Sequence, residues 1–595
     1  MPAAAVRVIA GPRASGKTSA LVARVADLFG QGVAPADVVV LTSGADAAHE
    51  LRVRLGARLG DAAMHGLRVS SWRRFVWEVG GAPRVLSQPE RSILLADLRA
   101  QGFSAQGVSH ALEIASDAWS RGEVPSCGAA SEPGQAADPC LAALLQALSA
   151  RRAILPEGLV AQATSHPEAA HVPYVLVDDA DTLPHAALRL AVRTATATCV
   201  FAGDPDGGDA PEGVDPHAFL ALADVAGIQV LHATGRHVYA ERSQVVKWKD
   251  AAEEASGVAA LVDCELARQA GLDGDCAGPV VLVAPNRAWA RRIVQSLAHA
   301  GIEACDSAVS TPLACDPRDP KACLPLRCFV ALALLVDRDD ATSWRTWLSL
   351  GYPDLACRAW QGLEEYAHAH NEAVPRILPR VEREVAAGGN PFPGAHQIAA
   401  RVREAEALFR ACSGKRGVGL LNTIDPAQTK AFRQMLALNE DELAVVDAPV
   451  LLKAALASVV DPSAGVLAHE VHGAHHDKIA AAIQARRAFI CLGRPPVGVR
   501  PHLLVVLGAN EGIVDSGSLA TTLSAQADAL VVSYIQQMPV EAATRLGAKF
   551  ARTRQELEGP VALLRPSAGL EALGREVPAT MGGQQFCSAV LGVRP

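Results

Sequence analysis

The chain runs to 595 residues, 50% of them hydrophobic and 20% charged, which is too long for one core and implies roughly three or four domains. Its formal net charge of −8 excludes a uniformly basic nucleic-acid binder but leaves room for a local basic groove. No run resembles a ~20-residue apolar span and the N-terminus lacks a signal-peptide pattern, so a soluble, cytoplasmic protein with no membrane partner is expected.

The first element is a short apolar run, Val6-Arg7-Val8-Ile9-Ala10. It leads into Gly11-Pro12-Arg13-Ala14-Ser15-Gly16-Lys17-Thr18, a full match to G-x-x-x-x-G-K-[ST], and then into a helix-like stretch from Ser19 to Val25. Strand, loop and helix in that order are the context the motif needs. Gly11 and Gly16 let the backbone curl so that successive N–H groups face a triphosphate. Lys17 can reach the terminal phosphates, and the Thr18 hydroxyl can ligate Mg²⁺. The helix N-terminus adds favourable partial charge. These residues predict binding of ATP with Mg²⁺.

Further along, Val38-Val39-Val40-Leu41 reads as a buried strand, followed by a helix from Ala47 to Leu59. Residues 86–165 read as mainly helical, with a Gly/Ala/Ser/Pro-rich loop near 121–138. The run Tyr174-Val175-Leu176-Val177 ends on Asp178-Asp179, which suits a carboxylate on the metal side (Asp178) and one free to orient a water (Asp179). Thr198–Ala202 ends on Gly203-Asp204-Pro205-Asp206, a further acidic strand end. Ligands of open α/β sheets bind beyond the carboxyl ends of the strands, so these clusters can converge on the loop. Val280–Ala284 opens a second α/β region; residues from about 315 to 480 read as helical; Leu503–Leu507 and Ala529–Ser533 return to strand. Apolar runs of about four to six residues alternating with helices imply parallel sheets covered on both faces. The expected class is α/β, with two such regions, each interrupted by a helical insertion.

The ordered series of motifs resembles the UvrD/RecB branch of superfamily 1 DNA helicases. Val39–Thr42 with Ala47–Leu51 looks like the segment that contacts single-stranded DNA. Val69-Ser70-Ser71-Trp72 sits where a Thr-Phe-His-Ser segment is usual. By this resemblance Thr42, Ser43, Ser71 and Trp72 are candidate DNA-binding residues. Asp178–Thr182 is similar to D-E-x-Q-D, and Gly203–Asp206 to the start of the next motif. Gly235-Arg236 lies where the family carries Asn-Tyr-Arg, which makes Arg236 a candidate γ-phosphate sensor. Val281–Asn286 with Ala300–Ile302, and Leu507–Gly512, resemble parts of a second motor domain. The resemblance implies two RecA-like domains: 1–85 plus 166–240 binding ATP, with 86–165 inserted, and 241–314 plus 481–595 with 315–480 inserted.

Several positions depart from the family pattern. The usual Glu after Asp178 is Asp179, one methylene shorter, and a misplacement of about 1 Å can cost about 10²-fold in rate. A Gln is replaced by Gly207, the aromatic and arginine residues after it are missing, and Lys-Gly-Leu-Glu aligns with Val497-Gly498-Val499-Arg500. The arginine of the last motif stabilises transition-state charge and is worth about 10³–10⁵ in rate. One register, Leu523–Tyr534 on L-T-R-A-R-D-R-L-V-V-S-Y, turns both key arginines into alanine. A second register places Ala543-Thr544-Arg545 on the motif and keeps Arg545 as a candidate catalytic arginine, although no strand follows it promptly. The first is favoured because an apolar strand run follows it directly.

These losses resemble helicase-like subunits of the AddAB and RecBCD class, one of which keeps the fold with decayed motifs. The chain starts almost at the phosphate loop, without an adenine-reading glutamine segment, and shows no nuclease motif after Leu564–Ser567. Two functions are therefore expected as alternatives. One is a helicase-family ATPase of recombination or repair with weakened turnover. The other is a non-catalytic subunit that binds ATP and DNA and scaffolds an active helicase–nuclease partner. Beyond these two stands a phosphate-loop ATPase unrelated to DNA.

Other features read as structural. His469, His472 and His476 have helical spacing, yet no cysteine or carboxylate completes a metal set, so a surface segment is expected. Thirteen cysteines include no C-x-x-C pair, which favours reduced thiols over a zinc or iron–sulfur site. Aromatics at 4% limit base-stacking surfaces. The pairs Arg73-Arg74, Arg151-Arg152 and Arg291-Arg292 are expected mainly on solvated helix faces, and Trp344 and Trp347 in a helical core.

Overall fold

The computed structural model describes residues 4–12, 15–125, 138–166, 171–206, 214–223, 227–231, 242–270, 279–306, 324–351, 358–424, 436, 440–461, 486–493, 495, 501–514, 519, 522–523, 527–557, 559–573 and 580–590. Several expectations lie outside them: Arg13, Ala14, Gly207, Arg236, His469, His472, His476, Val497–Arg500 and Ser524-Ala525-Gln526.

The first sheet is built from β1 (Ala5–Ala10), β2 (Val38–Thr42), β3 (Arg68–Ser71), β4 (Val172–Val177), β5 (Ala195–Gly203) and β6 (Ile228–Val230). Its spatial order is β3-β2-β4-β5-β1-β6, parallel throughout. Alternate side chains feed two cores, as the period of two requires. Ile9, Val38, Val40, Leu176 and Val200 pack under the helices α1 (Lys17–Gly30) and α2 (Ala45–Leu59). Val8, Val39, Leu41, Val175, Val177 and Phe201 pack on the other face, against Phe75 and Trp77 of α3 (Trp72–Val79). Both faces are buried, so the strands read as continuous apolar runs.

The second sheet contains β7 (Arg242–Trp248), β8 (Val280–Ala284), β9 (Glu303–Asp306), β10 (Arg487–Leu492), β11 (Leu503–Val506), β12 (Ala529–Ile535) and β13 (Met581–Gly582). Its order is β9-β10-β8-β11-β12-β7-β13, again parallel. A small antiparallel sheet of Gln537–Pro539, Gly559–Leu564 and Phe550–Glu556 follows β12.

The described residues from 324 to 461 are predominantly helical, and their core is continuous with that of the first sheet rather than the second. Trp344 and Trp347 are buried in it. Arg345 and Arg151 both bind the Asp97 carboxylate, which ties the helix Ala341–Ser349 to the helix Gln88–Ala100. Arg151, expected on a solvated face, is thus an internal ion-pair partner. Cys140, Cys199, Cys264, Cys328, Cys412, Cys491 and Cys587 form no disulfide among the described residues, and all of these but Cys264 and Cys587 are buried. Among the described residues no helix is long and apolar enough to cross a membrane.

Candidate nucleotide-binding site

The register of the first sheet levels four strand ends. Ala10 pairs with Gly203, and Leu41 with Val177. Gly11, Asp204, Thr42 and Asp178 therefore leave the sheet on one edge, the carboxyl edge where α/β sheets hold ligands. Gly11 N–H donates to Gly203 O at 3.2 Å, Leu231 N–H to Ala10 O at 2.6 Å, and Asp178 N–H to Leu41 O at 2.7 Å.

The loop conformation depends on its glycines. A Cβ at Gly11 would lie 2.5 Å from Leu231 O and 2.7 Å from Ser15 Oγ, closer than any side chain tolerates. Gly16 precedes α1 with φ 88°, the left-handed region that favours glycine. Gly11→Ala must push the loop off β6, and it is expected to weaken Mg·ATP binding by roughly tenfold or more. Calorimetric titration checks this, with an unchanged circular dichroism spectrum showing that the sheet survives.

Lys17 Nζ donates to Gly11 O at 2.6 Å and Pro12 O at 2.8 Å. Burial lowers its pKa, and Asp204, Asp181, Asp178 and Asp179, in that order of influence, oppose this. The Thr18 hydroxyl donates to Asp178 Oδ2 at 2.8 Å. Asp178 is buried, and burial together with the adjacent Asp179 pushes its pKa up to about 7. Asp181 Oδ1 accepts from Asp204 N–H at 3.0 Å, and burial raises the Asp181 pKa. Asp179 takes the left-handed conformation, φ 52° and ψ 37°. Its Oδ2 accepts from Ser43 Oγ at 2.8 Å and Thr42 Oγ1 at 3.2 Å.

This donor set fits a triphosphate with Mg²⁺. The Ser15 hydroxyl is buried with no hydrogen-bond partner among the described residues, beside a glycine cradle that a Cβ would fill. The Thr18–Asp178 pair offers one hydroxyl and one carboxylate, enough for Mg²⁺, which keeps waters and phosphate oxygens as its other ligands. Among the described residues there is no cluster of three His, Cys, Asp or Glu side chains that could hold a metal by themselves.

The raised Asp178 pKa has a definite sign. Protonated Asp178 favours the folded state, so its contribution to stability falls as pH rises from 3.8 to about 7. Metal binding needs the carboxylate and therefore releases a proton near neutrality. Mg·ATP affinity is expected to fall by up to about tenfold per pH unit below pH 7, a dependence that Asp178→Asn should flatten. Calorimetry in buffers of different ionisation enthalpy reads the released proton.

The candidate DNA residues are placed differently from one another. Thr42 and Ser71 are buried, and Ser71 Oγ accepts from Arg74 N–H as the cap of α3. Trp72 is also buried, with the Arg73 guanidinium 5.1 Å from its ring centroid. Ser43 is half-buried. The Thr42 and Ser43 contacts to Asp179 join residues 137 and 136 positions apart, and no sequence spacing points to them.

Arg545 ends the helix Val540–Arg545 and is exposed. It lines a cavity of about 1440 Å³ with Lys249, Trp289, Arg292, Gln537 and Leu557. No described residue before Lys249 lines this cavity. A strand, Phe550–Glu556, does follow Arg545, contrary to expectation, but in the separate antiparallel sheet. The strand β12 lies inside the parallel sheet, between β11 and β7, and Leu523 before it is buried.

No curated protein matches the chain. The family model of the UvrD/REP helicase N-terminal domain matches residues 2–78, a stretch that contains the phosphate loop, the Thr42–Ser43 end of β2, and β3 with Trp72. In this stretch the chain is similar to a UvrD-like helicase.

Proposed function

We propose that the chain is an ATP- and DNA-binding protein built on two RecA-like domains, acting on single-stranded or duplex DNA in recombination or repair, with weakened ATP turnover. The observation that carries this reading is the convergence of Lys17, the Thr18–Asp178 pair, Asp179, Asp181 and Asp204 on one sheet edge. Lys17 would hold the terminal phosphates, Thr18 and Asp178 the Mg²⁺, and the main chain of residues 11–18 the remaining phosphate oxygens. Arg236 would sense the γ-phosphate. When bound, Mg²⁺ polarises the phosphoryl oxygens; the chain's own part is to hold the polyphosphate tail and aim a water by Asp179.

DNA would cross the carboxyl edge at the ends of β2 and β3. Ser43 and the main chain would make that contact, because the Thr42, Ser71 and Trp72 side chains are buried. The β12 position supports the register in which Leu523–Tyr534 carries the last motif with both arginines replaced. Arg545 would then belong to a different face. That supports the second reading, an ATP- and DNA-binding scaffold for an active helicase–nuclease partner in the cytoplasm.

Steady-state ATP turnover with and without single-stranded DNA, for the wild type and Lys17→Ala, separates the two. A DNA-dependent rate that disappears in Lys17→Ala supports the motor. Equal background rates together with retained salt-sensitive DNA binding support the scaffold. Loss of salt-sensitive DNA binding leaves only a phosphate-loop ATPase unrelated to DNA.

A further inference from the structure

We infer that Ser43 is the movable half of a latch that holds Asp179 away from the nucleotide until DNA takes the Ser43 hydrogen bond. This rests on the proposed ATP and DNA reading. The Asp179 carboxylate is bound by two hydroxyls from the end of β2, Ser43 at 2.8 Å and Thr42 at 3.2 Å. The left-handed backbone at Asp179 separates its direction from that of Asp178, whose carboxylate takes the Thr18 hydroxyl on the phosphate-loop side. Of the four acids near Lys17, Asp179 influences the ammonium least, consistent with a carboxylate aimed at β2.

A serine hydroxyl has a single proton to donate. When a DNA phosphate oxygen accepts that proton, Asp179 Oδ2 loses its shorter bond. Thr42 is buried and stays in place, whereas Ser43 is half-buried and reachable. The longer Thr42 contact alone is a weaker hold, and the carboxylate is free to turn towards the water that attacks the γ-phosphate. No group is transferred in the latch itself; one hydrogen bond exchanges acceptors. Ser43 and Thr42 are positioning residues, because they act through Asp179.

The test is a double-mutant cycle on DNA affinity, which needs no turnover. Fluorescence anisotropy with a labelled oligothymidylate is measured for the wild type, Ser43→Ala, Asp179→Asn and the double variant. A hydrogen bond to a charged group is worth about tenfold or more. Asp179→Asn, which keeps a neutral acceptor and loses only the charge assistance, should therefore tighten DNA binding about threefold to tenfold when Ser43 is present, and much less in the Ser43→Ala background. Equal effects of Asp179→Asn in both backgrounds overturn the latch. Turnover gives a second readout. Ser43→Ala should raise the DNA-free kcat and lower the stimulation by DNA, and Ser43→Thr should restore both. A fall in the DNA-free kcat of Ser43→Ala would mean that Ser43 holds Asp179 in its working position, which also overturns the latch. Wild-type protein that fails to bind the oligonucleotide at all refutes the functional reading and the latch with it, whereas binding without coupling refutes the latch alone.

Discussion

Replacing Lys17 by alanine is expected to lower Mg·ATP affinity by at least about 10²-fold and to remove any DNA-stimulated turnover. The Lys17 ammonium is bound by the carbonyls of Gly11 and Pro12 and sits among Asp178, Asp179, Asp181 and Asp204. Without it those carboxylates face an incoming triphosphate with no cation from the loop, and like charges repel strongly where the site is partly dry. A charge-assisted hydrogen bond contributes about 1.5–3 kcal/mol. Two such bonds to the terminal phosphates amount to roughly 3–6 kcal/mol, a factor of at least about 10². Titration calorimetry of the purified chain checks the affinity, and an affinity within about threefold of wild type would refute the assignment of Lys17 to the phosphates. The variant should remain folded, since among the described residues the Lys17 ammonium hydrogen-bonds to the loop carbonyls of Gly11 and Pro12 and its side chain belongs to neither core.

The second large effect is on stability. Asp97→Ala is expected to destabilise the chain by about 3–5 kcal/mol, the range found when one partner of a buried ion pair is removed. Asp97 accepts from Arg345 Nη2 at 2.5 Å and Nε at 3.1 Å, and from Arg151 Nη2 at 2.5 Å. Arg345 is 1% exposed, and its guanidinium lies 4.8 Å from the Trp360 ring centroid. Removing the carboxylate leaves two buried guanidinium ions without their shared acid. The neighbouring Arg84, which pairs with Glu90 and approaches Asp340 at 3.6 Å, spans the same boundary between the 84–151 region and the helices after residue 324. Loosening at this boundary should appear as an earlier urea transition followed by tryptophan fluorescence, because Trp344, Trp347 and Trp360 lie in that core. Asp97→Asn, which keeps the volume and an acceptor oxygen, should cost less than Asp97→Ala. A loss below about 1 kcal/mol for Asp97→Ala would mean that the helices dock by apolar burial alone.

These two effects differ in how visible they are in the sequence. The phosphate loop is a local object: its glycines, lysine and threonine act within a few residues of one another, so spacing alone carries the chemistry. The strands β2, β4, β5, β8, β11 and β12 are legible for a related reason. Each is buried on both faces, and that burial demands an unbroken apolar run. Among the strands that escaped sequence reading are β7, Arg-Ser-Gln-Val-Val-Lys-Trp, and the edge strand β9, Glu-Ala-Cys-Asp. Both mix polar with apolar residues, so their runs carry no clear strand signature. In β10 the apolar run Ala488–Leu492 follows two arginines, Arg486 and Arg487, which conceals its start.

By itself, then, the sequence determined the α/β class, the site of phosphate binding and the acidic strand ends, because each depends on neighbours in the chain or on a burial pattern repeated along one strand. Only the tertiary structure decided that β5 lies between β1 and β4, that the helices after residue 324 pack with the first sheet, and that Ser43 and Thr42 hold Asp179. Those outcomes depend on strand order and register, which bring together residues more than a hundred positions apart. Contacts of that kind are set by how whole elements bury their faces against one another, and no local spacing encodes them.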